Sequence, residues 1–218
     1  MIPNIDFIWA CQPVSPEQTQ TLRSVLHCDS LNRLFLTGSH AEQVGQAFAD
    51  DPRVTVCAHE QLFSTKFLRF ITPKLQAKYT LLYLSPHRLQ LGYRALERMV
   101  QAAESCGTRA DEPLMLYCDR YDEQGLPPVI DYQEGSLRDD FDFGSLQLFS
   151  MATFQAFLNS RAGIRLKYAA FYALRLFVGQ TPQRVVHLRE PLYTETETDL
   201  RASGEKQFDY VNPANRDV

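Results

Sequence analysis

Apolar runs alternate along the chain with segments of helical periodicity. Ile5 to Ala10 is an apolar run that predicts a strand. Ser15-Pro16-Glu17-Gln18 follows with helix-start signals, namely a capping serine, a proline for the first turn and a glutamine that completes a capping box. The predicted helix ends near His27, and Leu31 to Thr37 predicts a second strand before Gly38-Ser39. The chain therefore starts as a β-α-β unit.

The alternation continues through the middle of the chain. The run YTLLYL, Tyr79 to Leu84, is typical of a central strand buried on both faces. Beyond it, apolar residues from Leu89 to Ala103 recur at steps of three and four, which predicts a helix of about four turns. The other predicted elements here are a helix over 41–49, a strand from Arg53 to Cys57, and a helix within Glu60 to Lys78 that Pro73 bends or restarts.

The second half contains one long irregular section, from Asp119 to Phe143, which is polar, acidic and rich in turn residues. Irregular segments of this length inside a compact domain usually form functional loops. Around it we predict strands at Leu114 to Cys118, Ser145 to Phe149 and Arg184 to Leu188, and helices at Ala152 to Asn159 and Tyr168 to Val178.

This order predicts an α/β fold with a mostly parallel, twisted sheet that helices cover on both faces. Ligands of such sheets bind beyond the carboxyl ends of the strands. We expect one domain over residues 1–193 and a polar tail over 194–218, which is a flap or the start of a further region.

Composition narrows the classes of partner. The 218 residues carry a formal charge of -4 and have a pI near 5.7, so no broad basic field is available to a nucleic acid. The five cysteines form no CxxC pair, and their odd number argues against a disulfide framework. No apolar run of about 18 residues predicts a membrane span, and we expect a cytoplasmic protein. The sequence does not indicate the oligomeric state.

Three stretches resemble family 2 glycosyltransferases of the GT-A type, over Ile5 to about Tyr193. They are the helix TLRSVL, the strand, turn and helix YTLLYLSPHRLQLGYRALERM, and the late LRL followed by VVHLREPLY. The resemblance implies a Rossmann-related, GT-A-like sheet. It further implies transfer of a hexose from a nucleoside diphosphate sugar, such as a UDP-sugar, to a glycan acceptor in polysaccharide biosynthesis.

In that family the central strand ends in a DxD-type turn, whose carboxylates hold a divalent metal that neutralises the leaving diphosphate. The matching turn here is Ser85-Pro86-His87, which has no carboxylate. Ser85 and His87 are thus candidate donor-binding residues, and His87 is a candidate ligand for Mn²⁺ or Mg²⁺. The alternative is that His87 is an ordinary polar turn residue.

The first two strands also end differently from the family pattern. Ala10 and Gln12 stand where the family has a PTYN-like sequence, and Gly38 stands in LTGS where the family has DDGS. The resemblance implies that these positions contact the donor, although the acidic groups are missing.

An inverting transferase needs a general base, normally a carboxylate, to take the proton of the acceptor hydroxyl. The helix where the family places it, Tyr168 to Leu174 here, has no acid. The nearest candidates are Asp139, Asp140 and Asp142 in the irregular loop. The alternative is that these are solvated loop acids.

Asp119 and Asp122, in CDRYDE, form a second carboxylate pair directly after a strand. They are candidates for binding sugar hydroxyls of the donor or for replacing the metal ligands. The alternative is a solvent-facing β-turn, which Gln124-Gly125 also favours. Basic side chains between Lys66 and Lys78 offer a metal-free way to neutralise a diphosphate, or else a solvated helix face; they are Lys66, Arg69, Lys74 and Lys78.

Three functions follow from these observations. The first is a nucleotide-sugar-dependent glycosyltransferase, and the second is a catalytically degenerate transferase-like module that binds a glycan or partner without turnover. The third, a nucleotidyltransferase, is disfavoured because no glycine-rich phosphate loop follows the first strand. The first two differ in whether His87, the 119–122 pair and the 139–142 acids converge on one pocket.

Overall fold

The computed structural model describes residues 4–59, 61–107, 109, 111–135 and 141–196. Its strands are β1 (Ile5–Ala10), β2 (Leu31–Thr37), β3 (Val54–Cys57), β4 (Tyr79–Tyr83), β5 (Arg88–Leu91), β6 (Met115–Tyr121), β7 (Leu146–Ser150) and β8 (Val185–Thr196). Its helices are α1 (Pro16–Leu26), α2 (Ala41–Gly45), α3 (Thr65–Ile71), α4 (Ala95–Ser105), α5 (Met151–Asn159) and α6 (Ala170–Gly179). No helix in these ranges has the length and apolarity needed to span a bilayer.

The eight strands form one mixed sheet in the order β3-β2-β1-β4-β7-β6-β8-β5. The pairs β1 with β2, β1 with β4, β2 with β3 and β6 with β8 are parallel, whereas β7 runs antiparallel to both β4 and β6, and β5 runs antiparallel to β8. The predicted mostly parallel α/β sheet is therefore confirmed. Because β1 and β4 are parallel neighbours, the residues that follow them meet at one edge of the sheet.

Helices cover both faces of this sheet, as predicted. Leu22 of α1 and Met99 of α4 are buried in the core on one face. Phe67 of α3, Phe154 of α5 and Leu174 of α6 are buried in the core on the other. Strand β4 contributes to both cores and is buried along its whole length, which confirms its assignment as a central strand.

The start of α1 follows the sequence signals only in part. The Ser15 hydroxyl caps the helix by accepting from the Gln18 amide at 3.1 Å. The Gln18 side chain does not return to Ser15. Instead its Oε1 accepts from the Gln12 amide at 2.9 Å and its Nε2 donates to the Gln12 carbonyl at 3.1 Å. The expected capping box is thus replaced by a clamp on the loop after β1.

The largest departure from the predicted elements lies at the start of the long helix. Leu89, predicted to be helical, belongs to strand β5 and pairs with Glu195 of β8, and α4 begins only at Ala95. Tyr93, which the helical spacing predicts to lie on the apolar face of this helix, is 92% exposed. A Cβ on Gly92 would come within 2.9 Å of the Leu192 carbonyl oxygen, so the turn relies on the absent side chain. Pairing with a strand about a hundred residues away overrides the local helical spacing.

Strand β8 is much longer than the predicted Arg184 to Leu188. It continues to Thr196 and so includes residues that the sequence division had placed in the polar tail. Glu195 is one of these, and only 8% of it is exposed. Residues 197–218 of the tail lie outside the described residues. The end of β8 therefore brings a buried carboxylate to the edge of the sheet where β1 and β4 end.

Candidate functional site

Three cavities meet at the turn that follows β4. We call them the central cavity, of about 310 Å³, the acidic cavity, of about 220 Å³, and the loop cavity, of about 270 Å³. The central cavity is lined by Phe63, Ser85, His87, Ser145, Gln147, Phe171 and Arg175 among others. The acidic cavity is lined by His87, Arg120, Asp122, Glu123, Gln124 and Glu195. The loop cavity is lined by Trp9, Gln12, Val14, Ser15, His87 and Leu89 among others. His87 is common to all three.

The turn Ser85 to His87 is held in place by a short hydrogen-bond network. The His87 amide donates to the Ser85 hydroxyl at 3.2 Å, and the Tyr83 hydroxyl donates to the His87 carbonyl at 2.8 Å. Gln12 Nε2 donates to the Ser85 carbonyl at 3.1 Å and so joins the loop after β1 to this turn. This network brings together three residues that the sequence predicts to bind the nucleotide-sugar donor, namely Gln12, Ser85 and His87.

Ala10 and Gly38 lie behind this turn and line none of the three cavities. Ala10 pairs with Thr37 inside the sheet and is 6% exposed. Gly38 is buried at φ +91°, and Leu62 Cδ1 lies 3.7 Å from the position its Cβ would take. Their predicted contact with the donor stays a prediction that these cavities do not support.

Arg175 gives the central cavity a positive charge. It lies on α6, its Nε donates to the Phe171 carbonyl at 3.2 Å, and its guanidinium is 5.8 Å from the centroid of the Phe143 ring. Burial lowers the pKa of this guanidinium. A desolvated cation beside an open cavity favours an anionic ligand.

Arg175 lies in the LRL motif but was not among the site residues predicted from the sequence. The usable signal was an arginine within the otherwise apolar run AFYALRLFVG. A charge on an apolar helix must either reach the surface or line a cavity.

The acidic cavity has its own arginine, which carboxylates surround. Arg120 Nη2 lies 2.8 Å from Asp142 Oδ2, and its Nε lies 3.7 Å from Glu195 Oε2. Burial by itself would lower the pKa of Arg120, but the two carboxylates outweigh it and the pKa is raised. Glu195 also accepts from the Tyr83 hydroxyl at 3.2 Å and the Ser145 hydroxyl at 2.9 Å. These bonds tie β8 to β4 and β7 around His87.

The predicted carboxylates divide between several places. Asp122 lines the acidic cavity, but it lies in a β-turn closed by the bonds of its backbone N–H and C=O to Gly125, at 2.9 and 3.2 Å, and its carboxylate accepts from the Gln124 amide. Asp142 is held by Arg120 and by the Gly144 amide and lines none of the three cavities. Asp139 and Asp140 lie outside the described residues.

Asp119 belongs to a separate cluster on β6 and β8. Its carboxylate lies 2.8 Å from His187 Nε2, and Asp131 lies 2.7 Å from His187 Nδ1. The Tyr117 ring stacks on the imidazole at 4.7 Å. Arg189 first and His187 second lower the pKa of Asp131 to about 2. The expected pairing of Asp119 with Asp122 at one site is therefore not formed.

A divalent metal held at His87 lacks a suitable set of ligands. Across the described ranges, no group of three His, Cys, Asp or Glu side chains could hold a metal ion. Two of the three carboxylates that line the acidic cavity with His87 are already bonded, Glu195 to Arg120, Tyr83 and Ser145, and Asp122 to its own turn. Within the described part of the chain, the side chains around His87 therefore do not form a carboxylate site for a metal ion.

The basic residues of the 66–78 segment do not reach the three cavities either. Lys74 lies over the Phe70 ring at 4.8 Å, and Lys78 pairs with Glu104 at 2.7 Å. Lys66 and Arg69 line a wide groove of about 630 Å³ between α3 and the segment 164–167. We call it the basic groove; its other lining residues include Gln61, Ile164, Arg165 and Lys167.

Comparison with known proteins gives a match in structure but not in sequence. No protein-family model and no curated protein matches the chain. Among solved structures, residues 1-349 of TarS from S. aureus superpose with a TM-score of 0.61 at 12% identity, over 88% of this chain and 60% of that one. The inositol-1-phosphate CTP transferase from T. maritima superposes with a TM-score of 0.55 at 12% identity, over 91% of each chain. The mannosyltransferase PcManGT from Pyrobaculum calidifontis, in complex with GDP-Man and Mn²⁺, gives 0.53 at 9% identity, over 97% of this chain and 60% of that one.

These identities show the fold alone. The sheet and its helices have the GT-A-like arrangement found in nucleotide-sugar transferases and related nucleotidyltransferases, which confirms the resemblance at the level of fold. The chain spans about 60% of the TarS and PcManGT chains that it matches.

Proposed function

We propose that the protein is a glycosyltransferase that moves a hexose from a nucleoside diphosphate sugar to a polysaccharide or related glycan, and that the central cavity is where transfer takes place. The observation that carries the proposal is the position of Arg175 and His87 in one cavity, where the carboxyl end of β4 meets the amino end of the antiparallel strand β7. In sheets of this kind, that edge is where ligands bind. The proposal retains the UDP-sugar donor and cytoplasmic location expected from the sequence.

The leaving diphosphate is the group that needs positive charge, because negative charge grows on it as the glycosidic bond breaks. Arg175 supplies a permanent cation, and His87 supplies a hydrogen bond from the turn where the family holds its metal. The guanidinium is partly desolvated, which strengthens its interaction with phosphate oxygens. This assignment uses residues of the chain and does not require carboxylate ligands at the turn.

The remaining lining of the central cavity suits a sugar. Phe63 and Phe171 present aromatic rings in an edge-to-face pair at 6.2 Å, which provide an apolar surface for the C–H face of a hexose. Ser145 and Gln147 supply a hydroxyl and an amide for sugar hydroxyls. One apolar wall and a few polar groups are typical of small-molecule sites.

In the proposed reaction, the oxygen of an acceptor hydroxyl attacks the anomeric carbon and forms the new C–O bond. The old bond from that carbon to the diphosphate oxygen breaks, and its electron pair leaves with the diphosphate beside Arg175. A carboxylate takes the hydroxyl proton. Asp139, Asp140 and Asp142 remain the candidates for this base, and Asp140→Asn should abolish transfer if Asp140 is the base. Full activity of that variant would exclude it.

The experiment is a calorimetric titration of the purified protein with UDP, GDP and their hexose derivatives, in Mn²⁺ and again in EDTA. Mn²⁺ is included because the PcManGT complex contains it. We expect donor binding that persists in EDTA, and Arg175→Gln should weaken it by roughly tenfold to a hundredfold, as for loss of a charged hydrogen bond. His87→Ala should weaken it less.

Arg23→Gln is the matched control, because it removes one exposed cation that lines none of the three cavities and should leave donor affinity unchanged. Binding that requires Mn²⁺ would overturn the metal-free assignment. If no donor binds in any condition, the second candidate stands, a catalytically degenerate binding module. That candidate is favoured by the lack of a metal-ligand group among the described residues.

A further inference from the structure

The basic groove concentrates positive charge on a protein whose net charge is negative. Lys66 and Arg69 of α3 line one side, and Arg165 and Lys167 line the other, and all four are exposed. The described lining residues include no carboxylate. Since the whole chain carries a charge of -4, this groove is a local exception that favours an anionic ligand.

The two sides of the groove are joined by backbone contacts that fix their spacing. The Thr65 amide donates to the Leu166 carbonyl at 2.8 Å, and the Thr65 hydroxyl bonds to the Leu166 carbonyl at 2.9 Å and accepts from the Leu166 amide at 2.5 Å. Arg69 donates to the carbonyls of Leu158 and Gly163 at 3.2 and 3.3 Å. The groove is therefore a built feature rather than a chance meeting of flexible side chains.

Arg165 is held in an unfavourable backbone conformation. Its φ is +28°, a value that residues with a side chain rarely adopt. The bonds of the next residue, Leu166, to Thr65 stabilise this conformation and leave the Arg165 side chain on the groove. Backbone strain of this kind tends to cluster at ligand-binding segments.

The groove and the central cavity have no lining residue in common, but two segments of the chain contribute residues to both. Phe63, which lines the central cavity, lies in the same segment as Lys66, and its carbonyl accepts from the Ala170 amide at 3.0 Å. Phe171, also in the central cavity, lies four positions after the groove residue Lys167, and its ring contacts Phe63. A chain lying in the groove is therefore directed along the same two segments toward the proposed site of transfer.

We propose that the basic groove binds an acidic glycan chain, the acceptor of the transfer reaction, through its carboxylate or other anionic groups. This rests on the proposed function and assigns the acceptor a chemical class. A groove for single-stranded nucleic acid normally combines cations with aromatic rings on which bases stack. The described residues lining this groove include no aromatic ring, so they offer no surface on which bases could stack.

The test measures binding of fluorescently labelled oligogalacturonate by anisotropy, over a series of salt concentrations and without donor. A neutral malto-oligosaccharide of equal length and a single-stranded oligonucleotide of equal charge are the comparison ligands. We expect the wild-type protein to bind the acidic glycan. The double variant Lys66→Gln/Lys167→Gln should lose roughly tenfold in affinity and lower the salt slope by about two.

The control double variant Arg23→Gln/Lys74→Gln changes the net charge equally but leaves the groove intact, and its affinity should change by less than about twofold. Any of the following results would overturn the inference: an equal loss of affinity in both double variants, binding of the neutral glycan or the oligonucleotide that is as tight as that of the acidic glycan, or no binding of oligogalacturonate. Titration of the Lys66→Gln/Lys167→Gln variant with UDP separates the two proposals, because this variant should bind UDP like the wild type. Glycan binding without donor binding would reject the transferase while retaining the groove.

Discussion

The central and acidic cavities share the lining residue His87, and each also contains an arginine. The pKa values of these two arginines are shifted in opposite directions. Arg120 lies between Asp142 and Glu195, and these carboxylates raise its pKa against the effect of burial. Arg175 lies in the central cavity, and burial, the largest influence on it, lowers its pKa. The same type of side chain therefore stands in two different environments near one turn. Arg120 is neutralised within the fold by its carboxylates, whereas Arg175 lines the central cavity, where we propose that its charge acts on a ligand.

The largest expected effect distinguishes the two arginines by stability. Arg120→Leu should lower the free energy of unfolding by about 3 kcal/mol, because it leaves Glu195 buried without its cation. Arg175→Leu should be near neutral or stabilising, since it removes a desolvated charge. Urea denaturation of both variants measures the difference. A loss for Arg175→Leu equal to that for Arg120→Leu would show that both arginines are structural.

A smaller effect is expected at the exposed end of the Arg120 cluster. Asp142→Asn should cost about 0.5–1 kcal/mol, because the carboxylate is half exposed and the amide can still accept from Arg120. Thermal unfolding reports that change, and a transfer assay on the same sample reports whether Asp142 is the base. Retained transfer would remove Asp142 from the candidates, while loss of transfer with this small change in stability would support it.

The smallest expected effect concerns Arg189, which, unlike Arg120 and Arg175, lies at the surface. Arg189 and His187 lower the pKa of Asp131 to about 2, so its ion pairs stabilise the fold above the unfolded pKa of roughly 4. That contribution is lost as pH falls from about 4 towards 2. The stability difference between wild type and Asp131→Asn should be constant near neutral pH and shrink over this acid range. Unfolding midpoints measured from pH 7 to pH 2 provide the test, and a difference independent of pH would contradict it.

Much of the fold could be predicted because its signals are local. The Ser15 cap, the apolar run of β4 and the glycine after β2 each act within a few residues, and each predicted element is present. Strand β5 could not be found in this way. Leu89 has helical spacing with its neighbours, but it pairs with Glu195, a contact that no local window contains.

The candidate site was harder to predict than the fold for the same reason. Gln12, Ser85 and His87 could be selected as candidates because each lies within a few residues of the end of a predicted strand, and hydrogen bonds join them in the structure. Arg175 and Glu195 were missed because their role depends on how α6 and β8 pack against the turn. Asp119 pairs with His187, a contact between residues far apart in sequence that no local pattern indicates, and its predicted contact with the donor stays a prediction.

The position of Trp9 gives the protein an internal optical probe. It is the one tryptophan of the chain, it is 2% exposed, and it lies against the loop cavity beside Tyr83, with ring centroids 5.1 Å apart. The Tyr83 hydroxyl in turn holds the turn at His87. Any ligand that shifts this turn will change the surroundings of a single indole, so its emission will report site occupancy without a label.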